Sequence, residues 1–74
     1  MAYLPDSTKK IALTGASIVI DAKDYLPETA REIVLAAKSV GGHATVLNAC
    51  SYLPETAEAI ARAGGKNVTV YLTL

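Results

Sequence analysis

The sequence contains one histidine and one cysteine, the two side-chain types that together form a nucleophile–base pair in many enzymes. They are His43 and Cys50, at opposite ends of a segment with strand-like alternation. Seven extended steps span ~23 Å, whereas a catalytic dyad needs hydrogen-bond contact. The spacing therefore excludes this pair within one chain. We expect His43, which follows two glycines, to be an exposed loop residue, and Cys50 to be a small buried apolar residue.

The seven carboxylates are the next candidates for functional residues. Five of them lie near expected helix starts, where the helix dipole favours an anion. Asp21 is the exception, because it falls on the outward side of an expected strand, aligned with Asn48 and close to Tyr71. This row predicts a polar binding stripe, a solvated strand face, or a hydrogen-bonded ladder within an assembly. The paired glycines precede strands, so they do not suit a phosphate loop. We predict no catalytic residue, no metal site and no cofactor.

Length and composition restrict the class of protein. The chain has 74 residues, which suits one domain, and a hydrophobic fraction of 51% argues against disorder. Basic and acidic side chains balance at seven each, so we expect neither nucleic acid nor a membrane surface as partner. A domain this small without a disulfide or metal favours a homo-oligomer. A lone cysteine and the lack of any apolar run near ~20 residues predict a cytoplasmic protein.

An internal repeat organises the chain. The word YLPETA at positions 25–30 recurs identically at positions 52–57, and a weaker copy, YLPDST, stands at 3–8. Each copy is followed by an apolar helical pattern, a glycine stop and an alternating segment. We interpret residues 1–74 as one domain of three helix–strand units, at about 3–22, 25–49 and 52–74.

Apolar spacing predicts helices at about 27–40 and 54–63, each with proline at its first position. Ile33 and Ile60 take equivalent places and should be deeply buried. Gly41 or Gly42 can supply the left-handed residue that ends the first of these helices. Residues 8–14 fit either a helix or a strand, and we favour a short helix.

Strands are predicted at about 17–22, 44–49 and 67–73. A strand, a helix and a second strand in one sheet require a parallel, right-handed crossover. The expected fold is α/β: a short right-handed solenoid-like repeat, with a three-stranded parallel sheet and the helices on one face. The expected inner face holds Ile18, Ile20, Ala22, Thr45, Leu47, Ala49, Val68, Val70, Leu72 and Leu74. The expected outer face holds Val19, Asp21, Val46, Asn48, Thr69, Tyr71 and Thr73.

The stretch TVLNACSYL at residues 45–53 resembles a leucine-rich repeat of the kind with a full helix in each unit. Thr45 and Leu47 take apolar strand positions, Cys50 stands where that family uses Asn or Cys, and Tyr52 takes the next apolar position. The likeness departs from the pattern where Lys23 replaces the cysteine in the preceding unit. The resemblance implies an architecture, no particular member, and an open sheet face that binds partners.

These features predict a non-enzymatic protein-interaction or scaffold module. One alternative is a self-assembling structural unit, either a fragment or an engineered repeat. Another is a small ligand-binding or enzymatic domain completed only in an oligomer. The candidate interaction surface is Val19, Asp21, Val46, Asn48, Thr69 and Tyr71. The candidate oligomer edge is Val68, Val70, Leu72 and Leu74, because an unpaired last strand is a template for another chain.

Overall fold

A computed structural model describes residues 4–73 and shows helices alternating with strands. The helices are α1 (Pro5–Ala12), α2 (Pro27–Ser39) and α3 (Pro54–Gly64). The strands are β1 (Ser17–Asp21), β2 (His43–Leu47) and β3 (Val68–Val70). Single 3₁₀ turns occur at Ala22–Asp24, Ala49–Ser51 and Gly65–Asn67. The helix predicted for the first unit is confirmed, and the other helices and strands lie within a few residues of their predicted bounds.

Each helix begins at a Leu-Pro pair. Leu4, Leu26 and Leu53 have extended backbone at the three N-caps, and the proline that follows each is the first helical residue. Proline suits this place because its missing N–H would have no helical partner. Gly41 directly follows Val40, the C-cap of α2, and its φ of +73° is the left-handed conformation that glycine adopts freely, as predicted. No helix within residues 4–73 is long and apolar enough to cross a membrane.

The three strands form one parallel sheet in the order β1-β2-β3, with both neighbouring pairs parallel. α2 and α3 each run back between two parallel strands, so both point opposite to the strands. Two successive crossovers of one hand in one direction along the sheet place these helices on the same face. α1 precedes β1 and joins this layer by packing against α2. α2 packs between α1 and α3, and each helix contacts a strand.

The core lies between the helices and the sheet and is built from aliphatic side chains. Ile33 and Val34 of α2 are fully buried, and Ile60 of α3 is 2% exposed, which confirms the predicted burial of the two isoleucines. Val68 and Val70 of β3 pack against this core, as their predicted inward direction requires. Leu72 is exposed, and Leu74 lies outside the described residues.

The contact between α3 and β3 depends on a glycine. Gly64 is buried at the last residue of α3, and a Cβ placed there would lie 2.6 Å from Val68 Cβ and 2.7 Å from Val34 Cγ1. Those distances are too short for real carbon atoms. Gly64 therefore lets β3 approach the helices closely, a role distinct from ending the helix.

The predicted direction of the β2 side chains is wrong. When the two copies of the repeated word are aligned, Ile20 matches Leu47. In the sheet, however, Ile20 pairs with Val46, and the side chains of Ile20 and Val46 both face the core. Because a strand alternates with period two, this slip of a single position assigns each β2 residue to the opposite face. Val46 is consequently buried, whereas Thr45 and Leu47 point away from the helices and are half-exposed.

Changing Ile33 or Ile60 to alanine should lower the free energy of unfolding by about 2–5 kcal/mol, because each truncation leaves a cavity in the core. Leu35→Ala is the matched control on α2, since Leu35 is 40% exposed and lies outside the core cluster, and it should cost less than either isoleucine change. Urea unfolding measures all three variants. Equal losses for Ile33 and Leu35 would contradict this packing.

Candidate functional site

The helices leave one side of the sheet bare, and we call this side the uncovered face. Its central row is Val19, Thr45 and Thr69, which the strand register places side by side. Val19 is 65% exposed and Tyr71 is 50% exposed. Leu47 lies on the same face and is half-exposed. The uncovered face is therefore a mixed apolar and hydroxyl surface open to solvent.

His43 links two strands of this face. It is the first residue of β2, not a loop residue as predicted, and it is only partly exposed. Its Nε2 lies 2.7 Å from Thr69 Oγ1 on β3, and the tautomer decides which atom donates. The imidazole thus has a structural partner across the sheet.

Asp21 and Asn48, predicted as part of a binding stripe, hydrogen-bond to each other. Asn48 Nδ2 donates to Asp21 Oδ2 at 3.1 Å, and Asp21 Oδ1 accepts from the Lys23 backbone N–H at 2.9 Å. Asn48 is 8% exposed and has φ +58°, the left-handed conformation that asparagine tolerates better than most residues. The pair forms a ladder within the chain, and Asn48 is buried in it instead of being open to solvent.

Tyrosines connect the turns that follow the strands. Tyr52 Oη donates to the Tyr25 carbonyl oxygen at 2.8 Å, and Tyr25 Oη lies 2.8 Å from Thr8 Oγ1. Burial, together with the negative charge of Asp21, raises the pKa of Tyr52 above its ordinary value. Tyr52 therefore keeps its proton to higher pH in the folded chain, which preserves this hydrogen bond.

Cys50 is exposed, which contradicts its predicted burial. It lies in the 3₁₀ turn after β2, where Ala49, 2% exposed, takes the buried position. The thiol and the His43 imidazole belong to opposite ends of β2, as the sequence spacing requires. Within residues 4–73, no three His, Cys, Asp or Glu side chains are close enough to hold a metal ion.

A shallow groove of about 260 Å³ runs between the first turns of α2 and α3, open to solvent. Its floor includes Ile60, and its rim carries Glu28, Arg31 and Glu55. The groove is lined mainly by carbon, and neither His43 nor Cys50 lines it. It offers a place for an apolar side chain and no arrangement for catalysis.

The structure divides the predicted interaction surface. Val19, Thr69 and Tyr71 are exposed on one face, whereas Val46 is buried in the core on the other side of the sheet. Sequence reasoning missed Thr45, because the misalignment by a single position placed it inward. Comparisons with models of known families, with curated proteins and with solved structures find no match to this chain.

Asn48→Ala and Asn48→Gly separate the two roles of Asn48. Both remove the hydrogen bond to Asp21, but only alanine must be held in the left-handed conformation, which is costly for a residue with a Cβ. We expect Asn48→Ala to be less stable than Asn48→Gly by about 1 kcal/mol in urea unfolding. Equal stabilities would show that the backbone at Asn48 can relax.

Proposed function

We propose that this chain is a non-enzymatic protein-interaction or scaffold module of the α/β-repeat type, and that the uncovered face is its binding surface. The observation that carries the proposal is a sheet with helices on one side only and exposed apolar side chains on the other. Contiguous exposed apolar surface is the usual sign of an interaction site.

The chemistry of the uncovered face favours a protein as the partner. Val19, Leu47 and Tyr71 supply apolar and aromatic contact, while Thr45 and Thr69 supply hydroxyl groups. Asp21 is the charged group closest to this row, and its carboxylate already accepts two hydrogen bonds. An uncharged surface suits the apolar centre of a protein interface and gives little attraction for a nucleic acid.

The arrangement of reactive side chains supports a non-enzymatic role. The His43 imidazole is hydrogen-bonded to Thr69, and the Cys50 thiol lies beyond the far end of the same strand. Neither group can activate the other. The repeated helix–strand unit favours a solenoid-like arrangement, which leaves an open sheet face for a partner. The likeness of residues 45–53 to a leucine-rich repeat does not add to this, because Thr45 and Leu47, its apolar strand positions, point away from the core.

A photoreactive residue at position 19 tests the binding surface. We expect irradiation of the chain with this residue at position 19 to give a covalent adduct with a partner protein of one defined mass. The same residue at position 58, which is exposed on α3 away from the sheet, is the control and should give no adduct. Tyr71→Lys should abolish the adduct, because it places a charge in the apolar part of the face. Adducts of equal yield from both positions, or adducts that survive Tyr71→Lys, would contradict the proposal.

A second candidate function is self-assembly through the free edge of β3. Tyr71 N–H donates to the Val46 carbonyl at 2.8 Å, so the N–H of Val70, which directly precedes it, points away from β2. An unpaired strand edge of this kind accepts another strand. Leu72 is also exposed beside it.

Val70→Pro tests this edge, since proline removes the outward N–H while leaving the bond from Tyr71 in place. Val70→Ala is the control, because it shortens the same side chain and keeps the N–H. Sedimentation equilibrium at tens of micromolar should show a homo-oligomer for the control and a weaker one for Val70→Pro. A monomer in the unaltered chain would refute self-assembly.

A further inference from the structure

The edge of the sheet where the strands end carries a row of exposed leucines. Because the strands are parallel and the helices run back, the starts of all three helices lie at this carboxyl edge. Leu4, Leu26 and Leu53 occupy the three N-caps and are 68–76% exposed. Neighbouring packed helices are about 8–10 Å apart, so the row extends over roughly 16–20 Å. None of these side chains contributes to the core.

The carboxyl edge is also strongly acidic. Its segments carry five carboxylates and two basic side chains, Lys23 and Arg31, which gives a net charge of −3. The five carboxylates are Asp6, Asp21, Asp24, Glu28 and Glu55. In each unit an exposed acidic residue stands two positions after the leucine, so apolar and acidic groups alternate along the edge.

The opposite edge, where the strands begin, has the complementary character. The last turns of the helices and the loops that follow them carry no carboxylate and five basic side chains. These are Lys9, Lys10, Lys38, Arg62 and Lys66, of which Lys9 and Arg62 form ion pairs with Glu32 and Glu58 of the same chain. Leu13 and Val40, at the C-caps of α1 and α2, add exposed apolar surface there. We call this side the amino edge.

The helix dipole accounts for the positions of the charges, since it favours acids at helix starts and bases at helix ends. It does not account for exposed leucines at one edge and exposed Leu13 and Val40 at the other. The neutral chain thus has two opposed edges, each combining a net charge of one sign with apolar side chains, and Glu32 and Glu58 on the helices between them complete the balance. Two surfaces with these properties fit each other.

We propose that a second copy of this chain docks its amino edge on the carboxyl edge of the first. The exposed N-cap leucines would contact Leu13 and Val40 of the neighbouring copy, with lysines of one copy beside carboxylates of the other. The helix starts of one copy then meet the helix ends of the next, which is also favourable for the two dipoles. The contact is distinct from the uncovered face and from the β3 edge.

Such an interface is heterologous, because it joins two different surfaces. Each copy that binds leaves one free edge of each kind, so association continues as an open series instead of stopping at a dimer. The weight-average mass of the chain should therefore rise steadily with concentration. Salt should weaken the association, because the charges are solvent-exposed.

Charge reversal tests the proposal with a control on the same helices. Glu28→Lys with Glu55→Lys changes the carboxyl edge, whereas Glu32→Lys with Glu58→Lys makes the same change in net charge about one helical turn further from it. The second pair also breaks the exposed ion pairs of Glu32 with Lys9 and of Glu58 with Arg62, so urea unfolding must first show that this control is folded. We expect the first pair to weaken association by about a hundredfold or more, since it sets like charges against each other. The second pair should weaken it far less.

Complementation provides the second arm. Lys38→Glu with Lys66→Glu reverses the amino edge and should also prevent association when tested alone. When the Lys38→Glu, Lys66→Glu chain is mixed in equal amounts with the Glu28→Lys, Glu55→Lys chain, association should be restored. The acidic amino edge of the first chain can then dock on the basic carboxyl edge of the second. Sedimentation velocity at low and high salt measures every sample, and circular dichroism verifies the fold.

Several results would overturn the proposal. These are a monomer or a closed dimer at all concentrations, equal effects of the two glutamate pairs, or a mixture that stays dissociated. Binding of the unaltered chain to anionic vesicles or to DNA, lost on Lys38→Glu with Lys66→Glu while self-association is absent, would assign the amino edge to those partners instead. Loss of the position-19 adduct has no bearing on these outcomes, so the two proposals fail separately.

Discussion

An additional residue after β2 determines the arrangement of the central unit. In the sheet Asp21 pairs with Leu47, whereas the repeated words, and the turns and helices that contain them, align Asp21 with Asn48. Asn48 absorbs the difference by adopting the left-handed conformation. As a result Ala49 occupies the buried place equivalent to Ala22, and Tyr52 reaches the Tyr25 carbonyl.

The same residue explains which predictions from sequence were right. The helices could be predicted because the apolar spacing, the proline at the first position and the glycine that follows each helix all lie within one short segment of the chain. The faces of β2 could not, because they depend on how two distant segments align, and the repeated word gave an alignment that is correct for helices only. Thr45, Val46 and Leu47 were misplaced for this one reason. Cys50 was misplaced for another, because its burial was predicted from the general tendency of a free cysteine, whereas it aligns with the exposed Lys23. On β1 and β3 the predicted faces agree with the structure.

Gly64 shows a second limit of local reasoning. A glycine near the end of a helical pattern predicts a C-cap, and a left-handed glycine does follow α3, but it is Gly65, with φ +56°. Gly64 itself is required by contact with Val34 and Val68, which belong to other elements. A packing requirement between elements leaves no signature in the sequence around the glycine. The contact ties α3 to β3, one of the two edge strands of the sheet.

The parallel topology also separates the charges. In an antiparallel sheet, consecutive strands would alternate in direction, and each edge of the sheet would carry both helix starts and helix ends. Here every helix begins at one edge and ends at the other, so the acids of the three first turns, Asp6, Glu28 and Glu55, gather on one side, where Asp21 and Asp24 add to them. The repeat places an exposed leucine beside each of those helix starts, at Leu4, Leu26 and Leu53. The amino edge collects the bases by the same rule. The net charge of the chain is zero, but its charges are separated between the acidic carboxyl edge and the basic amino edge. The uncovered face of the sheet lies between these two edges and is the least charged part of the molecule.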